Sequence, residues 1–179
     1  MQHQVDAYVF VHDFEGRPSE RLGELFGNES VRFSGRFVGS FGGFAAVVAP
    51  DLETLQSWID GTYWDAGIRS DWSVVVKPSN VSIPKRRSPD YCALIRVRVA
   101  DGVDPEELLA RLDAHYEHNW EEMGYGAAVV TGGSFDLLVE LGAGSLPELW
   151  DRVRELRSQA GVARTATAVA FVPNNGLRR

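Results

Sequence analysis

The stretch Thr131–Val153, TGGSFDLLVELGAGSLPELWDRV, decides how this chain is read. It leaves a glycine turn, runs through an apolar strand, breaks, and continues as a helix pattern. The helix stripe is Leu146, Leu149, Trp150, Val153 and, further on, Leu156. Ser145 and Glu148 form the capping-box pattern that starts such a helix, and Gly161 is a natural stop. An earlier stretch, FGGFAAVVAPDLETLQSWI (41–59), follows the same plan. In the pairing of the two, Gly133-Ser134-Phe135 matches Gly42-Gly43-Phe44, and Asp136 falls on Ala45.

Working outward, YCALIRVRVA (91–100) alternates and is rich in β-branched residues, so it predicts a strand. Asp104, Pro105 and Glu107 open a helix whose stripe is Leu108, Leu109, Leu112 and Tyr116. GYGAAVVTGG (124–133) and SFDLLVEL (134–141) predict a hairpin, and ARTATAVAFV (163–172) a closing strand. The order is β-α-β-β-α-β, the ferredoxin-like unit. The first half repeats it: strand DAYVFV (6–11), helix PSERLGELF (18–26) stopping at Gly27, a hairpin over 31–49, a helix over 51–59 capped by Asp51, and strand DWSVVVK (71–77). Matching positions drift apart slowly, by 87 residues from Pro18 to Pro105, 91 from Gly42 to Gly133 and 94 from Gly67 to Gly161.

The fold class predicted is therefore α+β, with two tandem ferredoxin-like βαββαβ units packed sheet to sheet as an intrachain dimeric α/β barrel. Each unit has helices on one sheet face only, so its other face needs covering. The expected boundaries are 1–78 for the first unit, 79–90 for a linker, 91–173 for the second unit and 174–179 for a tail. The Lys85-Arg86-Arg87 run beside the linker prolines reads as a solvated segment.

A net charge of −7 argues against general nucleic-acid binding, which relies on clustered Lys and Arg. Cys92 is the lone cysteine, so no internal disulfide forms, as suits a reducing cytoplasm. No apolar run approaches the roughly 20 residues that cross a bilayer, and MQHQVDAYVF does not read as a signal peptide. The expectation is a cytoplasmic protein with no membrane partner.

In the second half, Gly133 and Asp136 form a Gly-x-x-Asp motif, and Gly161, Val162, Thr165 and Thr167 a Gly-Val-x-x-Thr-x-Thr run. These residues resemble the ligand-sensing (RAM) domain of the Lrp/AsnC regulators over roughly residues 91–172. The resemblance implies the dimeric α/β barrel fold. That fold is shared with cofactor-free antibiotic-biosynthesis monooxygenases and with haem-binding chlorite dismutase-like enzymes. It also implies an effector site near Asp136 and a tendency to oligomerise. The regulators carry a helix-turn-helix before the sensing domain, whereas here the first strand begins near Val5. Sensing or assembly is expected, without direct nucleic-acid contact. The first half keeps neither the aspartate nor the paired threonines and resembles the family only through the repeat.

Strand alternation places Ala93, Ile95, Val97 and Val99 on the helix side and Leu94, Arg96 and Arg98 on the other face. Arg96 and Arg98 suit a carboxylate or phosphate, or pair with Asp136 or Glu140. Asp136 could hold a ligand ammonium or cap local backbone N–H groups. Tyr8, Phe10 and His12 face away from the helices in the first half, and His12 titrates near neutrality. Candidate ligand-binding residues are thus Asp136, Gly133, Arg96, Arg98, Thr165, Thr167 and His12. Trp58, Tyr63, Trp64 and Trp72 read as packing or as a flat-ligand platform. His115 and His118, with Glu121 or Glu122, are too weak a set for zinc. No nucleophile elbow, P-loop or dinucleotide fingerprint occurs.

The leading expectation is a small-molecule-binding regulatory protein, for an amino-acid-like or aromatic acid ligand, without a cofactor or metal. It would act alone, as a homo-oligomer or with a protein partner. The alternatives are a cofactor-free monooxygenase-like enzyme of the same superfamily, or an assembly or adaptor protein.

Overall fold

The computed structural model describes residues 4–12, 31–64, 67–81, 89–118 and 124–171. The helix expected over 18–26, Gly27, the Lys85-Arg86-Arg87 run, Glu121, Glu122 and the side chain of Trp64 lie outside the described residues. The chain divides into two compact units, Met1–Val75 and Val76–Arg178.

The first unit contains β1 (Val5–Val11), β2 (Val31–Arg36), the two-residue β3 (Val38–Gly39), β4 (Gly43–Ala49), helix α1 (Leu52–Ile59) and most of β5 (Ser70–Pro78). β1 pairs antiparallel with β4 and β5, and β4 with β2, giving the order β2-β4-β1-β5. α1 begins where expected, because the Asp51 carboxylate accepts the Thr54 N–H at 2.7 Å. Its N-terminal bonds, first the backbone N–H of Thr54, hold the Asp51 carboxyl below the usual carboxylate range. A wide π-type turn, Asp60–Trp64, follows. Ala7, Val9, Val11, Ala45, Val47, Leu55 and Ile59 form the core beneath the helix.

The second unit contains β6 (Tyr91–Val99), α2 (Pro105–Tyr116), β7 (Gly126–Thr131), β8 (Leu137–Ala143), α3 (Leu146–Ser158) and β9 (Val162–Phe171). β6 is central, flanked by β8 and β9, with β7 outside β8, so the order is β7-β8-β6-β9. Counting each unit's four long strands in turn, both sheets run second, third, first, fourth, the order of a ferredoxin-like unit. Proline stands in the first turn of both α2 and α3. Asp104 caps α2 and Ser145 caps α3. The Glu148 carboxylate reaches back to the Gly144 N–H at 3.2 Å, so the box closes one residue earlier than the simplest form.

Ala93, Ile95 and Val97 meet Leu108, Leu109, Leu112, Leu149, Val153 and Leu156 in one core. Burial of each such side chain contributes about 1.5–3 kcal/mol. The α3 stripe is narrower than its sequence suggests: Leu146 and Trp150 are each 40% exposed.

Residues Val76–Val81 belong to the second unit and are bonded into it. Asp113, 7% exposed on α2, accepts from Ser79 Oγ at 2.6 Å, Asn80 N–H at 3.0 Å and Tyr125 OH at 2.8 Å. Ser79 N–H donates to Ala127 at 2.9 Å. The first residues of the expected linker are therefore a fixed clamp on α2 and β7.

Candidate functional site

The site begins with alternation on β6. Its even-numbered side chains, Leu94, Arg96 and Arg98, point away from the helices because the odd-numbered ones fill the core. On β9 the register sets Ala166 opposite Arg96 and Arg164 opposite Arg98. The turn before β8 adds Ser134 and Phe135. Together Arg96, Arg98, Ser134, Phe135, Arg164, Thr165 and Ala166 line a cavity of about 310 Å³ within the second unit.

Three guanidiniums thus share one small space. Arg96 lies over the Phe135 ring, 5.5 Å from its centre. Arg98 is more than half exposed and reaches Asp136 Oδ1 only at 3.4 Å. Arg164 is exposed and bonded to no carboxylate among the described residues. Asp136 itself is firmly built in: its other oxygen accepts the Val99 N–H at 2.9 Å, and its own N–H donates to Val97 at 2.9 Å. Arg98, with one long contact to Asp136, and Arg164, bonded to no carboxylate among the described residues, leave this end of the cavity cationic and suited to an oxyanion.

Of the seven sequence candidates, Arg96 and Arg98 line this cavity, Asp136 adjoins it, and Thr165 borders it while its hydroxyl turns to the helix side. Gly133 is an exposed turn residue next to Ser134, and the positive φ of the turn falls on Gly132, at 88°. Thr167 faces the helices, where its hydroxyl meets Arg157 at 3.3 Å; the same guanidinium reaches Thr165 Oγ1 at 2.9 Å. His12 belongs to the first unit and sits 3.2 Å from Asp71. Sequence reasoning missed Phe135 and Arg164. Arg164 could be found only from the β6–β9 register, which no local pattern encodes.

The tested alternatives for the other singled-out residues are local. His115 meets Glu155 at 2.7 Å. Among the described residues no group of three or more His, Cys, Asp or Glu side chains could hold a metal ion. Trp58 and Tyr63 contact edge to face at 5.7 Å, with Tyr63 wholly buried, and Trp72 packs on the same core.

No protein-family model matches the sequence, and no curated protein sequence does. Solved structures do. The chain is similar to chlorite dismutase from Candidatus Nitrospira defluvii, determined with imidazole, at TM-score 0.59 and 16% identity, over 96% of this chain and 92% of that one. A candidate chlorite dismutase matches at TM-score 0.51 and 11% identity, over 97% and 96%. A candidate monooxygenase from Fusobacterium nucleatum matches at TM-score 0.53 and 10% identity, over 98% and 95%. At such identities the likeness shows the fold: an α+β chain consistent with the dimeric α/β barrel.

The Lrp/AsnC assignment is corrected by these neighbours, which are chlorite dismutase-like and monooxygenase-like proteins and not RAM domains. The physical reason lies in what the motif residues do. Gly132 makes the turn, Asp136 anchors Val99, and Thr165 and Thr167 take Arg157. Each is a local device available to any ferredoxin-like unit, so the pattern does not single out a sensing family.

The fold raises the matter of haem. Its iron takes His, Cys, Met or Tyr as protein ligand. None of these lines the cavity. Elsewhere among the described residues of the second unit, His115 is engaged with Glu155, His118 is exposed, Tyr91 packs on Phe171, Cys92 is buried against Glu140 at 3.6 Å, and burial holds Tyr116 and Tyr125 protonated far above neutrality. The space between sheet and helices is filled by leucine and valine. The described residues do not fit a haem at this site.

Proposed function

We propose that this chain is a monooxygenase-like protein of the dimeric α/β barrel superfamily that binds a small organic acid in the second unit's cavity and works without haem. The observation that carries the reading is the cavity itself, where Arg96, set over the buried Phe135 ring, stands beside Arg98 and Arg164. The fold neighbours support the enzyme reading over a regulatory one. Guanidiniums grouped at the cavity favour binding of a substrate in its anionic form.

The test is oxygen uptake by the purified protein with a panel of aromatic and aliphatic acids, alongside its visible spectrum. The expected result is uptake that depends on one acid and falls at least tenfold in Arg96→Ala, with no Soret band. A stoichiometric Soret band, or no uptake with any acid, overturns the proposal.

A further inference from the structure

Arg98 and Arg164 face each other across the β6–β9 pair. Like charges placed directly opposite on a sheet destabilise it. Among the described residues no carboxylate relieves the conflict fully, because Asp136 reaches Arg98, at a long 3.4 Å, and not Arg164. Replacing Arg164 by a neutral residue would cost the fold no bond to a carboxylate among the described residues. The pair is also at the rim, where ligand can reach it: Arg98 is 56% exposed.

We infer that the Arg98–Arg164 pair is the acid-binding end of the cavity, seating one oxyanion of the ligand between two guanidiniums while Arg96 and Phe135 flank its body. This rests on the small-acid reading above and names the substrate class: a molecule with a terminal oxyanion group and a flat or apolar body. An oxyanion between the arginines converts their repulsion into two charge-assisted bonds. The Asp136 carboxylate then acts as the counter-ion that Arg98 leaves when ligand enters. Its anchor on Val99 keeps Asp136 from following.

Two consequences separate this from a merely structural role. The empty site is strained by charge, so Arg164→Gln should melt higher than wild type. The same change should remove anion binding. Thermal unfolding and calorimetric titration are run on wild type, Arg164→Gln and Arg154→Gln, with benzoate, inorganic phosphate and, at matched ionic strength, chloride. Arg154 is an exposed residue of α3 that pairs with Asp151 and serves as the control.

The expected result is that benzoate or phosphate raises the wild-type midpoint beyond chloride. Arg164→Gln weakens that binding tenfold or more while melting higher when empty, and Arg154→Gln behaves as wild type. The larger of the two shifts tells a carboxylate ligand from a phosphorylated one. Wild type indifferent to both anions, or Arg164→Gln binding them unchanged, overturns the inference. Oxygen uptake that survives Arg164→Gln overturns it while leaving the oxygenase reading intact. Anion binding lost in Arg164→Gln, with no uptake by any acid, sustains it and overturns the oxygenase reading.

Discussion

Asp136 accepts the Val99 backbone N–H at 2.9 Å through Oδ2, while its own N–H donates to the Val97 carbonyl at 2.9 Å. One residue thereby ties the end of β6 to the turn that launches β8. Asp136→Ala leaves the Val99 N–H without its acceptor, and an unmet buried donor costs about 1–3 kcal/mol. Asp136→Asn keeps an acceptor oxygen and should lose much less. Because both variants remove the charge beside Arg98, both should bind benzoate more tightly than wild type. Urea denaturation and titration of the pair check this; weaker anion binding by Asp136→Asn would count against a cationic site.

Asp113 offers a second test, of the clamp on residues 79–81. Three donors converge on this carboxylate, and hydrogen bonds to a charged group are each worth about 1.5–3 kcal/mol before non-additivity. Asp113→Ala should destabilise by about 3 kcal/mol and Ser79→Ala by about 1 kcal/mol. Ser79→Ala should also speed amide exchange at Val81, whose N–H the Ser79 hydroxyl accepts at 3.1 Å. In a double-mutant cycle the two effects should fall short of additivity. Full additivity would mean that the two side chains do not act together.

Much of the fold could be read from local chemistry, and the failures have a common cause. Caps and breakers, such as Asp51, Asp104, Pro105 and Ser145, act on their own neighbours, so they mark element ends correctly. The β6 alternation gave the face of Arg96 and Arg98 for the same reason. Cross-strand geometry is not local. The pairing of Asp136 with Ala45 shows this: Ala45 sits opposite Val9 in the first core, while in the second unit Leu137 and Val139 hold the core positions. An odd separation of 91 residues, taken from Gly42 to Gly133, puts core residues on the outer face. Only an even shift keeps both strands in phase, so the similarity of the two glycine turns does not extend residue for residue into β4 and β8. Arg164 stayed hidden because its partner across the sheet is 66 positions away, at Arg98. The Asp113 clamp stayed hidden because serine, asparagine, tyrosine and aspartate are ordinary at each of their separate positions.

Alkaline pH should expose the buried tyrosines. Burial first, and for Tyr125 also its bond to Asp113, hold Tyr63, Tyr116 and Tyr125 above the ordinary tyrosine value of 10.0. The folded state keeps these protons when the unfolded chain has begun to release its own. Their contribution is therefore complete below pH 10.0 and is lost as pH climbs from there toward the folded values. For Tyr125 the loss is about 1.4 kcal/mol per pH unit. Tyr125→Phe should be less stable than wild type by about 1.5 kcal/mol near neutrality. That deficit should shrink above pH 10. Parallel stability profiles for the two proteins up to pH 11 would refute the assignment.

Two glycines should respond in opposite senses to the same substitution. Gly161 has φ of 94°, and a Cβ there would come within 3.1 Å of Val103 Cγ1 and 3.0 Å of the Arg111 guanidinium. Its carbonyl also accepts the Ala100 N–H at 2.8 Å, which fixes the start of β9 beside β6. Gly161→Ala should cost about 1–2 kcal/mol from the left-handed backbone alone. It should also loosen the β9 register that places Arg164 opposite Arg98, so anion affinity should fall with stability. Gly61 has no such backbone demand, and a Cβ there meets nothing within 4 Å. Gly61→Ala reduces the freedom of the unfolded chain and should be neutral or stabilising by up to about 1 kcal/mol, with anion binding unchanged. Thermal melts with and without benzoate separate the two. An anion response lost in Gly61→Ala and kept in Gly161→Ala would move the binding site away from β6 and β9.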